Sequence, residues 1–299
     1  MVELSGILAA LTTPFNSAGE VSLSDLKHNI LRYNQTHLSG YVVLGSTGES
    51  VLLSRSEAES ILAAVKESAS KEKLLIAGTG AESTAETIER TKRAAEFGYP
   101  IALVKTPYYY KPSYKPEVLI AHYRRVADAS PIPVMLYSVP QFTGVVLEAP
   151  EVAALAAHPN IIGIKDSSGN VQRIGETIAA TVPNFQVLVG SAATIYPSLV
   201  LGARGCILAL ANALPEKCVA LYELVRNGHH EKARELQHLL AKASKLFVSE
   251  CGIAGVKYAM DQRGYRGGLP RLPLLPLADT QKKRIDDLLA ALEPAAMRA

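Results

Sequence analysis

Residues 73–107 read KLLIAGTGAESTAETIERTKRAAEFGYPIALVKTP, and this stretch contains the unit from which the fold is built. The runs at its two ends, KLLIAGTG and IALVKTP, are short and almost continuously apolar, as buried strands are. Between them, residues 83–98 place apolar side chains at helical spacing, and Ser83 followed by Glu86 forms a capping-box pattern. A strand, a helix and a second strand in this order predict two parallel strands joined by a crossover helix.

The same alternation continues through most of the chain. The eight strand-like runs are GILAALTTPF (6–15), GYVVLG (40–45), KLLIAGTG (73–80), IALVKTP (101–107), IPVMLYSVP (132–140), IIGIKDSSG (161–169), FQVLVGSA (185–192) and GCILALAN (205–212). Near-continuous apolar strands separated by helices predict a parallel sheet covered on both faces, and eight such units predict an α/β fold of the (β/α)8 TIM-barrel type. An open, doubly wound sheet is the alternative that the pattern leaves open.

The chain has 299 residues, which suggests about two average domains, although α/β barrels use ~250 residues as one domain. After the eighth run, about 85 residues follow with helical patterns such as 220–247 and 282–293. One covering helix does not need so long a segment. We therefore expect a catalytic barrel domain over residues 1–225 and a small helical C-terminal subdomain over residues 226–299.

The composition is that of a globular protein, with 48% hydrophobic residues, 20% charged residues and a formal net charge of +3. Basic residues are interleaved with acidic ones, which argues against nucleic acid or an anionic membrane as a partner. No apolar run reaches the ~20 residues of a membrane span, and Glu3 stands where a secretory signal would carry positive charge. The widely spaced Cys206, Cys218 and Cys251 show no metal-ligand pattern. We expect a cytoplasmic protein without a metal site or disulfides.

In parallel α/β folds the active site forms at the carboxyl ends of the strands, so polar side chains that end a strand are the candidates. Lys165 ends an apolar run, where burial favours the neutral amine, a nucleophile that forms a Schiff base with a carbonyl substrate. A lysine that reaches solvent or pairs with Asp166 is the alternative. Strict strand alternation places Lys165 on the face of Ile161 and Gly163. Lys105 ends the fourth run in the same way, and spacing alone does not choose between the two lysines.

Two further elements suit Schiff-base chemistry. Tyr137 ends the fifth run and offers a phenol for proton transfer, although a strand-end tyrosine also commonly packs as a buried ring with an exposed hydroxyl. The segment GSTGES (45–50) predicts a tight turn whose backbone N–H groups and small hydroxyls suit a carboxylate or a phosphate. By contrast, GTGAES (78–83) lacks the third glycine and the acidic partner of a dinucleotide loop, so no nicotinamide cofactor is expected.

Four motifs resemble, in order and spacing, those of the pyruvate-dependent class I aldolases of the dihydrodipicolinate synthase and N-acetylneuraminate lyase family. They are GSTGES, TPYYYKP (106–112), YSVPQFTG (137–144) and IIGIKDSSG, and the likeness runs over nearly the whole chain. Within the family, stretches such as HPNIIGIKDSSG (158–169), LGARG (201–205) and MDQRGYRGG (260–268) look like the 4-hydroxy-2-oxoglutarate aldolase branch. The resemblance implies a pyruvate-dependent enzyme without a cofactor.

The resemblance also implies a role for each matching residue. Lys165 matches the family's Schiff-base lysine, and Tyr137 matches its proton-relay tyrosine. Ser46 and Thr47 match the pair that holds the pyruvyl carboxylate, with Ser in place of the more usual Thr at position 46. Tyr109 matches a tyrosine that reaches across a subunit interface and completes a hydroxyl relay with Thr47 and Tyr137. Such an arrangement implies a homotetramer, built as a dimer of dimers.

Further substrate contacts are implied at Ser167, Gly190, Ser191 and Ile207. Phe142 stands where dihydrodipicolinate synthases have an arginine that binds the carboxylate of the second substrate, so the chain departs from that group. Lys105 is also unusual for the family. Two interpretations of Lys105 stay open: its side chain contacts the distal part of the substrate, or it only points into the rim of the barrel.

The sequence therefore predicts a Schiff-base aldolase, a carbon–carbon lyase, which cleaves a 4-hydroxy-2-oxo acid to pyruvate and an aldehyde. The favoured substrate is 4-hydroxy-2-oxoglutarate, which would yield glyoxylate. Three alternatives stay open: a 2-keto-3-deoxy sugar acid aldolase, a condensing and dehydrating enzyme of the dihydrodipicolinate synthase type, and a non-catalytic family member. The last is disfavoured because a binding protein needs no reactive amine.

Overall fold

The computed structural model describes residues 2–292, and they form a closed barrel of eight parallel strands. The strands are β1 (Gly6–Ala10), β2 (Gly40–Val43), β3 (Leu74–Gly78), β4 (Ile101–Lys105), β5 (Val134–Ser138), β6 (Ile161–Asp166), β7 (Gln186–Val189) and β8 (Gly205–Leu208). Each strand pairs with the next in chain order, and β8 pairs with β1. The predicted (β/α)8 TIM barrel is confirmed, and the open doubly wound sheet is excluded.

Helices cover the outside of the barrel. They are α1 (Leu23–Asn34), α2 (Arg55–Ser68), α3 (Thr84–Glu96), α4 (Pro116–Ala129), α5 (Pro140–Thr143), α6 (Ala149–Ala156), α7 (Val171–Ala180), α8 (Ile195–Val200) and α9 (Pro215–Arg226). At the start of α3, Ser83 accepts the backbone N–H of Glu86, but the Glu86 carboxylate pairs with Arg90. The predicted capping box is therefore only half formed there. A complete box, which the sequence analysis did not identify, joins Ser54 and Glu57 at the start of α2.

Two apolar layers hold the barrel together. Side chains from all eight strands fill its interior, among them Leu8, Val42, Ile101 and Leu188. A larger layer lies between the strands and the surrounding helices. The strands therefore bury both faces, which is why they read as continuous apolar runs in the sequence.

A β-bulge in β6 changes which side chains point into the barrel. The register with β5 skips Ile162, so β6 holds one extra residue at this point. Ile162 packs in the barrel interior, whereas Ile161 packs in the outer layer. The expectation that Lys165 shares a face with Ile161 is therefore wrong, because strict alternation fails across a bulge.

Three helices follow α9 within the described residues: α10 (His230–Ala243), α11 (Gly252–Gln262) and α12 (Asp279–Leu292), with a π-helical segment, Ser244–Glu250, before α11. Helix α10 packs against α8 and α9, and α11 packs against α12. We propose that the subdomain boundary lies near residue 225, where α9 ends. Residues 293–299, which the sequence analysis assigned to the C-terminal subdomain, lie outside the described residues, as does Met1. No helix within residues 2–292 has the length and apolar character needed to cross a membrane.

Candidate active site

Three candidate residues come together at the carboxyl end of the barrel. The register of β4, β5 and β6 places Lys105 beside Tyr137, and Tyr137 beside Lys165. The Tyr137 ring belongs to the packed barrel interior and is 5% exposed. The two lysines that spacing could not separate therefore flank one tyrosine, at the end of the barrel where parallel strands place their sites.

Lys165 is buried at the end of β6. Only 3% of the residue is exposed, and Nζ lies 4.3 Å from the centroid of the Tyr137 ring. The neighbouring Asp166 carboxylate accepts the backbone N–H of Ser168 at 2.7 Å, and burial raises the pKa of Asp166. The Lys165 amine therefore packs on an aromatic ring instead of pairing with Asp166. An amine in this position can attack a carbonyl carbon that enters the mouth of the barrel.

The GSTGES loop follows β2 and reaches the same end of the barrel. Ser46 Oγ lies 3.4 Å from the Tyr137 hydroxyl, and either oxygen can donate the hydrogen bond. Thr47 is 8% exposed. The Thr13 hydroxyl donates to the Gly48 carbonyl at 2.7 Å, which ties the loop to the end of the first strand-like run. The Tyr137 hydroxyl thus contacts the hydroxyl of Ser46, whereas the resemblance implied a relay through Thr47.

Tyr109 lies on the loop after β4 and is 74% exposed. Its ring packs edge-on against Tyr110, which is 67% exposed, with the two ring centroids 5.0 Å apart. The Glu82 carboxylate accepts the backbone N–H groups of Tyr108 and Tyr109 at 3.1 and 2.8 Å, which holds the loop in place. Within one chain, the Tyr109 ring is therefore presented to solvent.

The other implied substrate contacts lie where β6, β7 and β8 end. Ser167 and Gly190 touch so closely that a Cβ atom at position 190 would overlap Ser167 Oγ, and only glycine fits. Ser191 follows at the start of a short 3₁₀ helix and is partly buried. Ile207 is fully buried among the interior side chains of the barrel, below the strand ends. Ser167 and Gly190 therefore meet where β6 and β7 end, and Ser191 is the next residue after Gly190.

Lys105 crosses the rim of the barrel beside Gly80. Its Nζ donates to the Gly80 carbonyl at 2.7 Å and lies 5.4 Å from the centroid of the Tyr108 ring. Burial lowers the pKa of Lys105 to about 8, an effect that the Glu82 carboxylate partly opposes. Phe142 lies on α5 and is 64% exposed, so its ring is available at the surface of the strand-five loop.

Behind the GSTGES loop lies a buried ion pair that the sequence analysis did not reveal. Glu49 Oε1 lies 2.6 Å from Lys257 Nζ, and both side chains are only 1% exposed. Lys257 is the single charged residue of the α11 stretch GIAGVKYAM (252–260). A lone charge in this nine-residue stretch was the signal for the pair, because lysine is almost never fully buried without a partner.

Comparisons with known proteins cover nearly all of this chain. The sequence model of the dihydrodipicolinate synthetase family matches residues 3–292. A 4-hydroxy-tetrahydrodipicolinate synthase from Exiguobacterium sp. is 39% identical over 290 residues, which are 97% of this chain and 97% of that protein.

Two solved structures extend the likeness to three dimensions. A dihydrodipicolinate synthase from Bacillus anthracis superposes with a TM-score of 0.93 at 28% identity, over 97% of this chain and 99% of that chain. The chloride-inhibited dihydrodipicolinate synthase from Acinetobacter baumannii, complexed with pyruvate, superposes with a TM-score of 0.90 at 33% identity, over 98% and 99%. Together with the strand-end lysine, tyrosine and hydroxyl loop, these matches show that the chain belongs to the dihydrodipicolinate synthetase family of pyruvate-dependent aldolases and synthases.

Proposed function

We propose that the protein is a Schiff-base (class I) aldolase that takes pyruvate as one reaction partner and works without a cofactor. The observation that carries this proposal is the packing of the buried Lys165 amine on Tyr137, whose hydroxyl lies 3.4 Å from Ser46 Oγ. These groups supply a nucleophile, a proton relay and a contact for a carboxylate. The pyruvate complex of the Acinetobacter relative supports the choice of partner.

In the cleavage direction, the Lys165 amine adds to the C2 carbonyl of the substrate, and loss of water leaves a protonated imine. Ser46 and Thr47 hold the C1 carboxylate with their hydroxyls and the backbone N–H groups of the turn. Tyr137 relays the proton of the C4 hydroxyl while the C3–C4 bond breaks. The electron pair of that bond enters the imine to form an enamine, and an aldehyde leaves. Protonation at C3 and addition of water release pyruvate and restore the amine.

The proposed substrate is a 4-hydroxy-2-oxo acid, with 4-hydroxy-2-oxoglutarate favoured over 2-keto-3-deoxy sugar acids. A carboxylate at the strand-five loop is best bound by a bidentate guanidinium, and the Phe142 ring cannot replace one. Lys105 offers a cation on the opposite side of Tyr137 from Lys165. Its pKa of about 8 leaves it charged at neutral pH, and Nζ has donors beyond the one used by the Gly80 carbonyl. A second carboxylate at the distal end of the substrate suits this cation.

A condensing and dehydrating synthase is the second candidate function. It is favoured by the activity named for the Exiguobacterium relative. Such an enzyme would form the same imine at Lys165 but would take aspartate semialdehyde as the acceptor. Phe142 separates the two candidates, because this residue stands at the position from which the synthases bind the carboxylate of the semialdehyde.

A direct comparison of three reactions tests the substrate. Pyruvate release from 4-hydroxy-2-oxoglutarate and from a 2-keto-3-deoxy sugar acid is coupled to lactate dehydrogenase, and condensation of pyruvate with aspartate semialdehyde is measured alongside. We expect kcat/KM to be highest for 4-hydroxy-2-oxoglutarate and at least about tenfold lower for condensation, since a hydrogen bond to a charged group contributes roughly 1.5–3 kcal/mol. Phe142→Arg should raise the condensation rate, whereas Gln141→Arg, one residue away on α5, should not. Condensation as the most efficient reaction would overturn the argument from Phe142.

Lys105→Met tests the proposed distal contact. The KM for 4-hydroxy-2-oxoglutarate should rise about tenfold or more, because a charge-assisted hydrogen bond is lost, while the KM for the sugar acid should change little. Steady-state kinetics with the two substrates measure the difference. Equal changes for both substrates would show that Lys105 supports the rim through the Gly80 carbonyl and does not touch the distal carboxylate.

We propose that the protein assembles as a homotetramer in which Tyr109 of one subunit completes the site of its neighbour. The support is the exposure of Tyr109 and Tyr110, two adjacent rings that pack on each other and leave most of their surface open in a single chain. Aromatic side chains exposed together are enriched where proteins meet.

Mixed oligomers test the placement of Tyr109. Lys165→Ala and Tyr109→Ala should each be nearly inactive, but their co-expression creates sites with an intact Lys165 and an intact Tyr109 from the neighbour. With random pairing across a two-fold interface, about a quarter of all sites should regain both groups. Activity no greater than the sum of the two variants would place Tyr109 in the site of its own subunit. Sedimentation velocity gives the oligomeric state directly.

A cytoplasmic location stays a prediction. It is supported by the state of Cys206, Cys218 and Cys251, which are buried free thiols. Burial raises the pKa of each thiol, as is typical of unreactive structural cysteines.

A further inference from the structure

The backbone of the GSTGES loop is strained at both ends. Leu44 and Glu49 have φ angles of 59° and 54°, and they are the residues other than glycine with positive φ among those that the structure describes. A side chain in this region of backbone space is disfavoured and persists only where its surroundings hold it. The turn that presents Ser46 and Thr47 therefore depends on contacts made from outside the loop.

At Glu49 those contacts come from the C-terminal region of the chain. Lys257 Nζ, on α11, lies 2.6 Å from Glu49 Oε1 in a fully buried ion pair. The same Nζ donates to the Leu269 carbonyl at 2.7 Å and lies 4.6 Å from the centroid of the Phe15 ring. The other carboxylate oxygen, Glu49 Oε2, accepts the backbone N–H of Arg271 at 2.8 Å. Both oxygens of one carboxylate are thus held by residues that follow the barrel in sequence.

The Arg271 side chain fastens the chain just after the loop. Its guanidinium donates to the Leu52 carbonyl at 2.8 Å and to the Gly19 carbonyl at 2.7 Å, and it pairs with the Glu57 carboxylate in the first turn of α2. Glu57 carries a pKa lowered to about 2, chiefly because of this arginine. The strained end of the loop is therefore held between α11, the 269–271 segment and the start of α2.

A buried ion pair is a poor source of stability, since the desolvation of two charges offsets most of their attraction, and apolar residues of similar size often do as well. The Glu49 carboxylate is held on two sides, however, because Oε2 accepts the Arg271 backbone N–H at 2.8 Å while Oε1 lies 2.6 Å from Lys257 Nζ. These two contacts hold the carboxylate, and with it the left-handed backbone at Glu49, in one position relative to α11. An apolar contact would allow the loop to shift against the barrel.

We propose that Glu49, Lys257 and Arg271 are positioning residues for substrate binding, which hold the GSTGES turn so that Ser46 and Thr47 face the pyruvyl carboxylate. This inference rests on the proposed function, in which those two residues bind that carboxylate. It gives the C-terminal subdomain a role in the site although its helices supply no group to the reaction. None of the three residues touches the reacting atoms in this scheme.

The experiment measures the pyruvate concentration that half-saturates borohydride trapping at Lys165, together with kcat and KM for 4-hydroxy-2-oxo acid cleavage. Lys257→Met should raise half-saturating pyruvate and KM by about 10- to 100-fold, the effect of one lost charge-assisted contact, with kcat changed by less than about threefold. The double variant Glu49→Gln with Lys257→Met leaves no unpaired buried charge, so its Tm should recover toward that of the wild type. Its half-saturating pyruvate concentration should stay raised.

Arg266→Met is the matched control. Arg266 also joins the C-terminal region to the barrel, through a pair with Asp25 at 2.8 Å, but this pair is solvent-exposed and its partner lies on α1 and not in the GSTGES loop. Its loss should leave pyruvate binding unchanged. A double variant whose pyruvate affinity recovers with its Tm would overturn the inference, because affinity would then follow stability alone. Unchanged affinity in Lys257→Met would do the same. Failure of the wild type to be trapped at Lys165 would overturn the proposed function itself, a result distinct from either.

Discussion

Lys165→Ala is expected to abolish turnover while leaving the barrel folded. The Lys165 amine forms the covalent intermediate in the proposed mechanism, and removal of such a nucleophile lowers kcat by roughly 10⁴-fold or more. The fold should persist because the side chain ends β6 at the mouth of the barrel and contacts the Tyr137 ring without an ion pair to Asp166. Far-ultraviolet circular dichroism and the oligomeric state should match those of the wild type.

The covalent intermediate can be trapped and located. Wild-type protein is treated with pyruvate and borohydride, and the modified peptide is identified by mass spectrometry; the label should lie on Lys165. Lys105→Ala is the matched control, since Lys105 is the other strand-end lysine beside Tyr137, and this variant should still be labelled. A label on Lys105 in the wild type, or on no lysine, would contradict the assignment.

Tyr137→Phe is expected to lower turnover by roughly 10²–10⁴-fold, the range for loss of a positioned acid or base. The substitution keeps the ring that packs in the barrel interior and lies against Lys165 Nζ, but it removes the hydroxyl 3.4 Å from Ser46 Oγ. Formation of the first imine should therefore survive better than release of pyruvate. Single-turnover trapping beside steady-state kcat measures the two steps separately.

Tyr99→Phe provides the control for the loss of a buried tyrosine hydroxyl. The Tyr99 hydroxyl donates to the Leu62 carbonyl at 2.9 Å in the outer layer, and Tyr99 lies just before the amino end of β4, opposite the carboxyl ends that form the site. This variant should lose about 0.5–1.5 kcal/mol of unfolding free energy without a change in kcat. If Tyr137→Phe behaved in the same way, its hydroxyl would have a structural role only.

The barrel could be predicted from the sequence because each strand–helix unit has a recognisable pattern of apolar residues within its own stretch of chain. Apolar runs such as IALVK, followed by amphipathic stretches, have one low-energy arrangement, with both strand faces covered. The local rules leave the outcome open where two local contacts compete for one side chain. The Glu86 backbone N–H donates to Ser83, as the capping box requires, but the Glu86 carboxylate pairs with Arg90. For an exposed carboxylate the two partners are similar in energy, so the pattern alone does not predict which one it binds.

The candidate active site could be predicted only in part from sequence patterns. Order and spacing of motifs singled out Lys165, Tyr137, Ser46 and Thr47, yet spacing alone left Lys105 as an equal of Lys165. The structure places both beside Tyr137 and distinguishes them by surroundings: Lys165 Nζ packs on the Tyr137 ring, and Lys105 Nζ binds the Gly80 carbonyl. No local pattern contains that difference, since it depends on which neighbours the closed barrel brings to each strand end.

Side-chain periodicity over a few residues decides which faces are buried, so local patterns were enough to predict the eight strand–helix units, their parallel order and the polar residues that end the strands. By contrast, no local pattern encodes the bulge at Ile162, the contact of Ser46 with Tyr137 or the pairing of Glu49 with Lys257. The bulge arises from register between neighbouring strands, and the two contacts join residues that are far apart in the chain. Barrel closure brings the paired residues together, and buried polar groups then pair with the partners that lie near them. Both effects depend on proximity in space, so they produce no periodic pattern in the sequence.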